Sequence, residues 1–270
     1  METNIVNFNN FKFEYFIKDD MATSSIENKV EWEPHITYFV KLYNSINKIE
    51  NIIDIGANFG YHSLLFSKEV LGFVYSFEPQ IQNYNLLINN IKHNNITNII
   101  PYNFACGDIE CDIYMPIINT TNYSINMGDF TPNYLLNNYS YSITKSIKLD
   151  NLNLPKIDLI KIDVQGWEKK VLEGSINLLN TYKPILIVEF EESQLNKTNT
   201  TCEDLFNYIR NNNYYIFYLY YKYPSDHICV HNDKLQEFRN QFKDYIFFHN
   251  DNNNINRNIE YNVTEKLVFI

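Results

Sequence analysis

The chain has 270 residues and is 45% hydrophobic, and its 22 basic and 32 acidic residues give a formal net charge of −10. This length suits one large α/β domain with a full core, and the hydrophobic content excludes a disordered chain. The acidic balance and the lack of a basic run argue against a nucleic-acid partner, because phosphate backbones are bound by clustered lysine and arginine.

The sequence lacks the patterns that mark export or membrane insertion. The first ten residues show no basic stretch followed by an apolar core, and no apolar run approaches the ~18 residues that a membrane span needs. The four cysteines form no C-x-x-C pair, which favours reduced thiols. We therefore expect a cytoplasmic protein with no structural disulfide and no membrane partner.

Two elements are predicted within the first 50 residues. The stretch FKFEYFI (11–17) is strand-like, and apolar residues recur at helical spacing over 33–48. We interpret residues 1–50 as an N-terminal cap and residues 51–270 as the main α/β domain. The start of the predicted helix, with Trp32, Glu33 and His35, is expected to close a ligand site.

From residue 51 onward, short apolar runs alternate with helical patterns. The predicted strands cover 51–57, 73–79, 98–108, 156–163, 184–192, 214–221 and 263–270, and the predicted helices cover 60–70, 80–94, 166–180 and 202–213. Successive strand–helix units predict a mostly parallel sheet with helices on both faces. Ligands of such sheets bind beyond the carboxyl ends of the strands, and each motif below falls at such an end.

Two segments interrupt this alternation. Residues 109–150 are rich in Asn, Ser, Thr and Tyr, with β-type alternation over 141–150, and we expect this insertion to cover the substrate. Four of its tyrosines could stack on sugar faces, although the chain has 22 tyrosines and such a cluster also arises by chance. They are Tyr114, Tyr123, Tyr139 and Tyr141. The polar segment 224–262 has no predicted element.

The first motif is DIGANFG (54–60), between the first strand of the main domain and its helix. Gly56 and Gly60 allow a sharp turn close to a ligand, and the helix start offers unpaired N–H groups. Asp54 would repel a diphosphate but could hold an ammonium group, so the turn fits the amino acid end of a ligand better than a dinucleotide. A simple glycine-rich turn is the alternative interpretation.

Two further strand ends add acidic groups. Glu78 closes the second strand of the domain, where a carboxylate can accept both hydroxyls of a ribose. The CGD turn (106–108) follows the third, and Asp108 could accept a hydrogen bond from an adenine amino group. A solvated Glu and a simple turn Asp are the alternatives.

The fourth motif, KIDVQGWE (161–168), closes the central strand. Strand alternation puts Lys161 and Asp163 on one face, and a buried ammonium group needs a carboxylate partner. We predict that Asp163 or Glu189, at the end of the next strand, neutralises Lys161. An ion pair of Lys161 with a carboxylate either lowers the pKa of a catalytic acid or only holds neighbouring strands together. Glu168 could simply be a favourable charge at a helix start.

In this order, the motifs resemble those of the FkbM-type methyltransferases. The matching pieces are the IDIGANxG turn, the SFEP strand end, the GD turn, the LDNL segment (149–152), the I-K-I-D-V-x-G-x-E signature and the Glu that closes strand five. The resemblance covers about residues 30–190 and the closing strand. The chain departs from many members at Gln165, where they have Glu, and this weakens any role for an acid there.

The resemblance implies a Rossmann-like class I methyltransferase fold, with a seven-stranded, mostly parallel sheet whose seventh strand runs antiparallel. It also implies S-adenosyl-L-methionine as cofactor and methylation of a hydroxyl on a sugar, glycan or related small molecule. The expected cofactor-binding residues are Asp54, Gly56, Ala57, Asn58, Gly60, Tyr61, Glu78, Pro79, Cys106, Gly107, Asp108 and Asp163.

For catalysis, alignment of the acceptor oxygen and a proton acceptor are the main requirements. Asp163 is the first candidate for the proton acceptor and Glu189 the second, with Lys161 beside them. His62 and His35 are weaker candidates. We expect no metal, although Asp163 and Glu189 have the oxygen ligands that a divalent cation takes. An inactive cofactor-binding scaffold, and a methyltransferase acting on nucleic acid or protein, are the alternative functions. The sequence leaves open whether the chain forms a homodimer.

Overall fold

The structure is a computed structural model that describes residues 2–17, 21–117, 131–133, 140–220, 226–249 and 264–268. In these residues the strands form a hairpin, a three-stranded sheet and a nine-stranded central sheet. The strands are β1 (Thr3–Phe8), β2 (Phe11–Phe16), β3 (Ile52–Ile55), β4 (Val74–Phe77), β5 (Ile99–Tyr102), β6 (Phe104–Cys106), β7 (Cys111–Ile117), β8 (Ser140–Ile147), β9 (Leu159–Ile162), β10 (Ile185–Glu189), β11 (Tyr214–Tyr220), β12 (Asp226–His231), β13 (Ile246–His249) and β14 (Thr264–Val268).

Helices follow most of the central strands. They are α1 (Met21–Glu27), α2 (Pro34–Asn47), α3 (Tyr61–Phe66), α4 (Ile81–His93), α5 (Glu168–Glu173), α6 (Ile176–Tyr182), α7 (Glu192–Leu195), α8 (Cys202–Asn211) and α9 (Asn232–Gln241). The strand–helix alternation predicted from residue 51 onward is therefore present, with shorter elements than the sequence pattern suggests.

The central sheet has the order β5-β4-β3-β9-β10-β12-β11-β14-β13. The strands from β5 to β10 run parallel, and β12 is antiparallel to both β10 and β11. The seven strands from β5 to β11 give the predicted, mostly parallel arrangement with one antiparallel member. The strands β14 and β13 extend the sheet beyond β11.

The antiparallel strand β12 lies in the segment 224–262, for which the sequence predicts no element. All six residues of DHICVH are buried, including Asp226, His227 and His231. Polar residues at buried positions hide the apolar pattern by which a central strand is normally identified. The helix α9 and the strand β13 also lie in this segment, so the structure supplies elements that the sequence pattern left undefined.

The core lies on both sides of the central sheet because successive strand residues face opposite directions. Ile52 packs into one apolar cluster with α2 and α9, whereas Ile53 packs into the other, with α5, α6 and α8. Both side chains are fully buried. A strand covered on both faces reads as a continuous apolar run, which is why these strands are recognisable from sequence.

Two predicted elements are divided in the structure. The segment 98–108, predicted as one strand and its exit loop, forms β5 in the central sheet and β6, which joins β8 and β7 in the three-stranded sheet. The predicted helix 166–180 becomes α5 and α6, which are separated at Gly174. A Cβ atom at Gly174 would lie 1.9 Å from the carbonyl oxygen of Gly107, so the break lets the chain pass against the CGD turn.

The N-terminal hairpin β1–β2 is attached to α4 by asparagine side chains. Asn90 accepts from the backbone N–H of Glu14 at 2.5 Å and donates to the carbonyl oxygens of Glu14 and Phe59 at 2.9 and 2.8 Å. Phe59 belongs to the DIGANFG turn, so the hairpin supports that turn from outside. The division into a cap over 1–50 and a main domain over 51–270 stays a proposal.

No helix among the described residues is long and apolar enough to cross a membrane. No disulfide joins the four cysteines, all of which lie in the described part of the chain. Cys106, Cys202 and Cys229 are buried.

Candidate functional site

A cavity opens at the carboxyl ends of β3, β4 and β9 and contains about 860 Å³ of space, part of it open to solvent. The residues that line it come from the DIGANFG, SFEP, CGD and KIDVQGWE motifs, from the start of α2 and from the insertion. They include Trp32, Glu33, Asp54, Gly56, Ala57, Asn58, Tyr61, His62, Glu78, Pro79, Gln80, Asn83, Phe104, Cys106, Pro132, Lys161, Asp163, Gln165 and Trp167. The topology therefore brings together residues more than 100 positions apart in sequence.

The DIGANFG turn is held in a conformation that favours glycine. Gly56, Asn58 and Gly60 have φ values of 81°, 51° and 93°, in the left-handed region. A Cβ atom at Gly56 would lie 1.8 Å from the carbonyl oxygen of Asp163, so only glycine lets the turn pack against the end of β9. This contact places the turn directly beside the candidate catalytic residue.

Glu78 connects this turn to the end of β4. One carboxylate oxygen accepts from the backbone N–H of Asn58 at 2.8 Å, and the other accepts from that of Gln80 at 2.9 Å. Burial raises the pKa of Glu78 to about 7, although the two backbone donors oppose the rise. Each carboxylate oxygen keeps a second lone pair for a ligand hydroxyl.

Asp54 is buried on β3 and presents one unused oxygen. Its Oδ2 accepts from the Ser63 hydroxyl at 2.5 Å, and Ser63 also contacts the Ser76 hydroxyl at 2.8 Å. Its Oδ1 accepts no hydrogen bond from any described residue and lies 3.9 Å from the Lys161 ammonium nitrogen. A buried carboxylate oxygen without a donor fits a ligand cation or N–H group.

Lys161 is 2% exposed and forms the predicted ion pair with Asp163, with 3.1 Å between Nζ and Oδ2. Of the two partners that the sequence suggested, the structure pairs Asp163 with Lys161, and the second carboxylate near Lys161 is Asp54. Glu189 instead contacts the side chain of Gln165, which also donates to Asp163. The candidate catalytic residues therefore form one hydrogen-bonded group.

The carboxyl groups of Asp163 and Glu189 differ in pKa and therefore in protonation. Burial alone would raise the pKa of Asp163, but Lys161 and hydrogen bonds from Glu189, Lys161 and Gln165 hold it below its usual range. Burial and the neighbouring acids Asp163 and Asp226 raise the pKa of Glu189 well above its usual value. Asp163 is thus the ionised member and Glu189 holds its proton.

Most predicted cofactor-binding residues line the cavity, and three do not. Gly60 begins α3, where a Cβ atom would lie 2.5 Å from Leu87. A Cβ atom at Gly107 would lie 2.5 Å from the Ser146 hydroxyl and 3.1 Å from Trp167. Asp108 is half-buried next to this turn. Of the candidate catalytic residues, Glu189 lies outside the cavity lining and reaches it through Gln165. Their roles stay predictions.

The start of α2 contributes to the cavity as expected, through Trp32 and Glu33. The Glu33 carboxylate lies 2.9 Å from His62 Nε2, and His62 also lines the cavity. His35 instead points to β12, where its Nε2 lies 2.6 Å from the Asp226 carboxylate. His35 therefore links α2 to the sheet and is not part of the cavity wall.

Glu168 supports the turn after β9 from inside the protein. It is 1% exposed, and its carboxylate accepts from the backbone N–H groups of Val164 and Gly166 at 3.0 and 3.1 Å. Burial raises the pKa of Glu168 to about 7. The residue thus does more than place a charge at a helix start.

Sequence reasoning misses several residues of the cavity. Gln80, Asn83, Phe104 and Trp167 line it, and Gln165 bridges the two candidate catalytic acids. Gln165 and Trp167 belong to the KIDVQGWE motif, so their position next to the candidate catalytic residues was the signal that could have identified them. Gln80 and Asn83 carry none, because single amides in an asparagine-rich chain are not distinctive.

Only a short part of the insertion is described near the cavity. Pro132 lines it, and the buried Thr131 hydroxyl donates to the backbone carbonyl of Gln165 at 2.6 Å. Tyr114 is exposed and Tyr141 half-buried, and neither lines the cavity. Tyr123 and Tyr139 lie outside the described residues.

In the part of the chain that the structure describes, no group of three or more His, Cys, Asp or Glu side chains has the arrangement of a metal site. The acids near the cavity are paired with Lys161, Gln165, histidines or backbone N–H groups instead.

The comparisons with known proteins give one family and several distant structures. The crystal structure of methyltransferase FkbM from Methylobacillus flagellatus KT is 18% identical, with a TM-score of 0.48, over 68% of this chain and 44% of that one. TYW2 from M. jannaschii, in complex with AdoMet, is 16% identical with a TM-score of 0.43, over 84% of each chain. The tRNA (uracil-54, C5)-methyltransferase of Pyrococcus abyssi, in complex with S-adenosyl-L-homocysteine, is 9% identical with a TM-score of 0.43, over 85% of this chain and 44% of that one.

No curated protein matches the chain. The chain spans less than half the length of the M. flagellatus protein. The family described as "Methyltransferase FkbM domain" matches residues 54–216. This range contains the strand-end motifs and the cavity residues at the ends of β3, β4 and β9. This match confirms the resemblance inferred from the motifs, and the chain belongs to the FkbM methyltransferase domain family.

Proposed function

We propose that the chain is an S-adenosylmethionine-dependent O-methyltransferase acting on a hydroxyl of a sugar, glycan or related small molecule. The observation that carries this proposal is the position of Asp163, ionised by Lys161, in the wall of the same cavity as Glu78 and the DIGANFG turn. Membership of the FkbM methyltransferase family supports the reaction class.

The polar groups that line the cavity match the polar groups of the proposed cofactor. Glu78 would accept the two ribose hydroxyls with the lone pairs that Asn58 and Gln80 leave unused. The Oδ1 of Asp54, which accepts no hydrogen bond from a described residue, suits the ammonium group of the methionine end. Gly56 lets the turn pack against the end of β9, and this packing places the backbone of the turn at the cavity.

The remaining chemistry is the loss of a proton from the acceptor. The cofactor supplies an electrophilic methyl group on a positively charged sulfur. Transfer of that group would form a bond from the acceptor oxygen to the methyl carbon and leave the sulfur neutral, and Asp163 would accept the hydroxyl proton of the acceptor. Asp163 is suited to this step because it is ionised, whereas Glu189 already holds its proton.

The acids around the cavity favour an acceptor without negative charge. Glu33 lines the cavity together with the ionised Asp163. A phosphate or carboxylate next to the reacting hydroxyl would be repelled by these groups. The net charge of −10 acts in the same direction at longer range.

Calorimetric titration tests the cofactor site. We expect micromolar binding of S-adenosylmethionine by the wild-type chain and about 10–100-fold weaker binding by Glu78→Gln, because a hydrogen bond to a charged group contributes ~1.5–3 kcal/mol. Glu203→Gln, at an exposed position on α8, should bind as the wild type does. Absence of binding by the wild type contradicts the cofactor assignment.

A turnover assay tests the acceptor class. The chain is incubated with S-adenosylmethionine and neutral glycosides, amino sugars, sugar acids, RNA or protein, and formation of the demethylated cofactor is measured. We expect turnover with a neutral or cationic hydroxyl compound and a loss of about 10²–10⁴-fold in Asp163→Asn. Turnover only with RNA or protein contradicts the acceptor class, and cofactor binding without any turnover favours the inactive scaffold.

A further inference from the structure

The side-chain amide of Gln165 is the link between the two acids of the site. Its Nε2 donates to Asp163 Oδ1 at 2.9 Å and to Glu189 Oε2 at 3.2 Å. An amide nitrogen has two hydrogens, so both are used by this pair. Because the amide carries no charge, it can serve two acids without adding a third ionisable group.

The backbone of Gln165 is held in an unusual conformation by its surroundings. Its φ is 56°, in the left-handed region that a non-glycine residue rarely adopts. Gly166 follows with a φ of 99°, and a Cβ atom there would lie 2.2 Å from the carbonyl oxygen of Gln194. Glu168 accepts from the N–H of Gly166, so the turn is fixed on both sides. This turn directs the Gln165 side chain back toward the strand ends.

The same residue contacts the insertion. Its carbonyl oxygen accepts from the Thr131 hydroxyl at 2.6 Å, and Thr131 is 3% exposed. The next residue, Pro132, lines the cavity. Gln165 therefore contacts the Thr131–Pro132 segment at the cavity with its backbone and the candidate proton acceptor with its side chain.

We propose that Gln165 is a positioning residue for methyl transfer, which orients Asp163 through its amide and ties the Thr131–Pro132 segment to the same turn through its carbonyl. This inference rests on the proposed function. In the structure, Lys161 holds one oxygen of Asp163 and Gln165 the other, so the carboxylate cannot rotate.

The charged and titratable groups around Asp163 act together with Gln165. They come from β3, β4, β9, β10, β12, α5 and the residue before α2, and are Asp54, Glu78, Lys161, Glu189, Asp226, Glu168 and Glu33. Lys161 is the cation of this group, and its other members are all acids. A neutral donor at position 165 therefore limits the repulsion between Asp163 and its neighbours, whereas an acid there would increase it.

The experiment compares Gln165→Met, which keeps the length of the side chain, with Gln165→Asn, which suits the left-handed backbone but has a shorter reach. For both variants we expect kcat to fall at least tenfold, while the Kd for S-adenosylmethionine stays within twofold. The acidic limb of the pH–rate profile should move to higher pH in Gln165→Met, and further in Gln165→Glu. Gln236→Met, at an exposed position on α9, is the control and should behave as the wild type.

The contact with the insertion is tested by Thr131→Val and Thr131→Ser. The valine variant should raise the KM for the acceptor at least fivefold, and the serine variant, which keeps the hydroxyl, should restore it. Wild-type kcat and an unshifted pH profile in Gln165→Met and Gln165→Asn would overturn the positioning role. Wild-type KM in Thr131→Val would overturn the tie to the insertion.

A readout without turnover separates this inference from the proposed function. Carbon-13 NMR titration of the Asp163 carboxyl should show a higher pKa in Gln165→Met than in the wild type, whether or not an acceptor is known. A wild-type chain that binds the cofactor but methylates nothing would end the proposed function. An Asp163 titration that is unchanged in Gln165→Met would end the positioning role.

Discussion

The ammonium nitrogen of Lys161 lies 3.1 Å from the carboxylate of Asp163, two residues further along the same strand end. Lys161 is almost fully buried, whereas Asp163 is 27% exposed toward the cavity. Burial lowers the pKa of the lysine, but Asp163 and Asp54 together outweigh this and raise it above the usual value. The buried cation of Lys161 thus holds the Asp163 carboxylate in its ionised form at the wall of the cavity.

We expect Lys161→Met to lower the free energy of unfolding by about 3 kcal/mol, because the substitution leaves buried carboxylates without their cation. Urea denaturation at pH 7 measures this loss. Lys156→Met is the matched control, since Lys156 pairs with Asp158 at the surface and such pairs contribute less than about 1 kcal/mol. If Lys161→Met keeps full activity while Asp163→Asn is inactive, Lys161 is only a structural tie.

The buried acids Glu78 and Glu168 should make stability depend on pH. Burial raises the pKa of each from 4.5 to about 7, so between these values the folded state binds protons that the unfolded state releases. The free energy of unfolding therefore falls as pH rises from about 4.5 to about 7, by up to ~3 kcal/mol for each group. Asp163 acts in the opposite direction, but only near and below its ordinary pKa of 3.8.

Glu168→Gln tests this pH dependence away from the cofactor site. The variant should reduce the fall in unfolding free energy between pH 5 and pH 7.5, as measured by urea denaturation at several pH values. Glu203→Gln changes an exposed acid on α8 and should leave the slope as in the wild type. An unchanged slope in Glu168→Gln would mean that Glu168 is ionised throughout this range.

Gly56→Ala should damage both stability and cofactor binding. A Cβ atom there would meet the Asp163 carbonyl oxygen at 1.8 Å, and the backbone φ of 81° is unfavourable for alanine. We expect a loss of at least ~2 kcal/mol in unfolding free energy and at least tenfold weaker binding of S-adenosylmethionine. Ser67→Ala, at the end of α3, should change either quantity little. Wild-type behaviour of Gly56→Ala would show that the turn does not pack against β9 in solution.

The four cysteines should all be reduced in the native protein. Intact mass spectrometry under non-reducing conditions should show four alkylated thiols after unfolding, and slow alkylation of Cys106, Cys202 and Cys229 before it, since these are buried. Recovery of a native disulfide would contradict the predicted cytoplasmic location.

The sequence alone determined the features whose signals are local. The apolar runs of β3, β4, β9 and β10 identify a sheet buried on both faces, because both faces of each strand contact helices. Glycines and acids directly after these runs place Gly56, Glu78 and Asp163 at one edge, since parallel strands end on the same side. The need of Lys161 for a carboxylate also follows from its position in an apolar strand.

Only the tertiary structure decided which side chains meet across elements that are distant in sequence. Asp163, and not Glu189, pairs with Lys161, and Asp54 lies near the same ammonium group because β3 and β9 pair in the register Asp54↔Lys161. The bridging role of Gln165 depends on a left-handed turn that no sequence pattern specifies. The strand β12 was not recognised because polar residues occupy several of its buried positions, and one of them, Asp226, is paired with His35 on α2. Such pairs remove the cost of burying polar groups, and this compensation becomes visible only once the chain is folded.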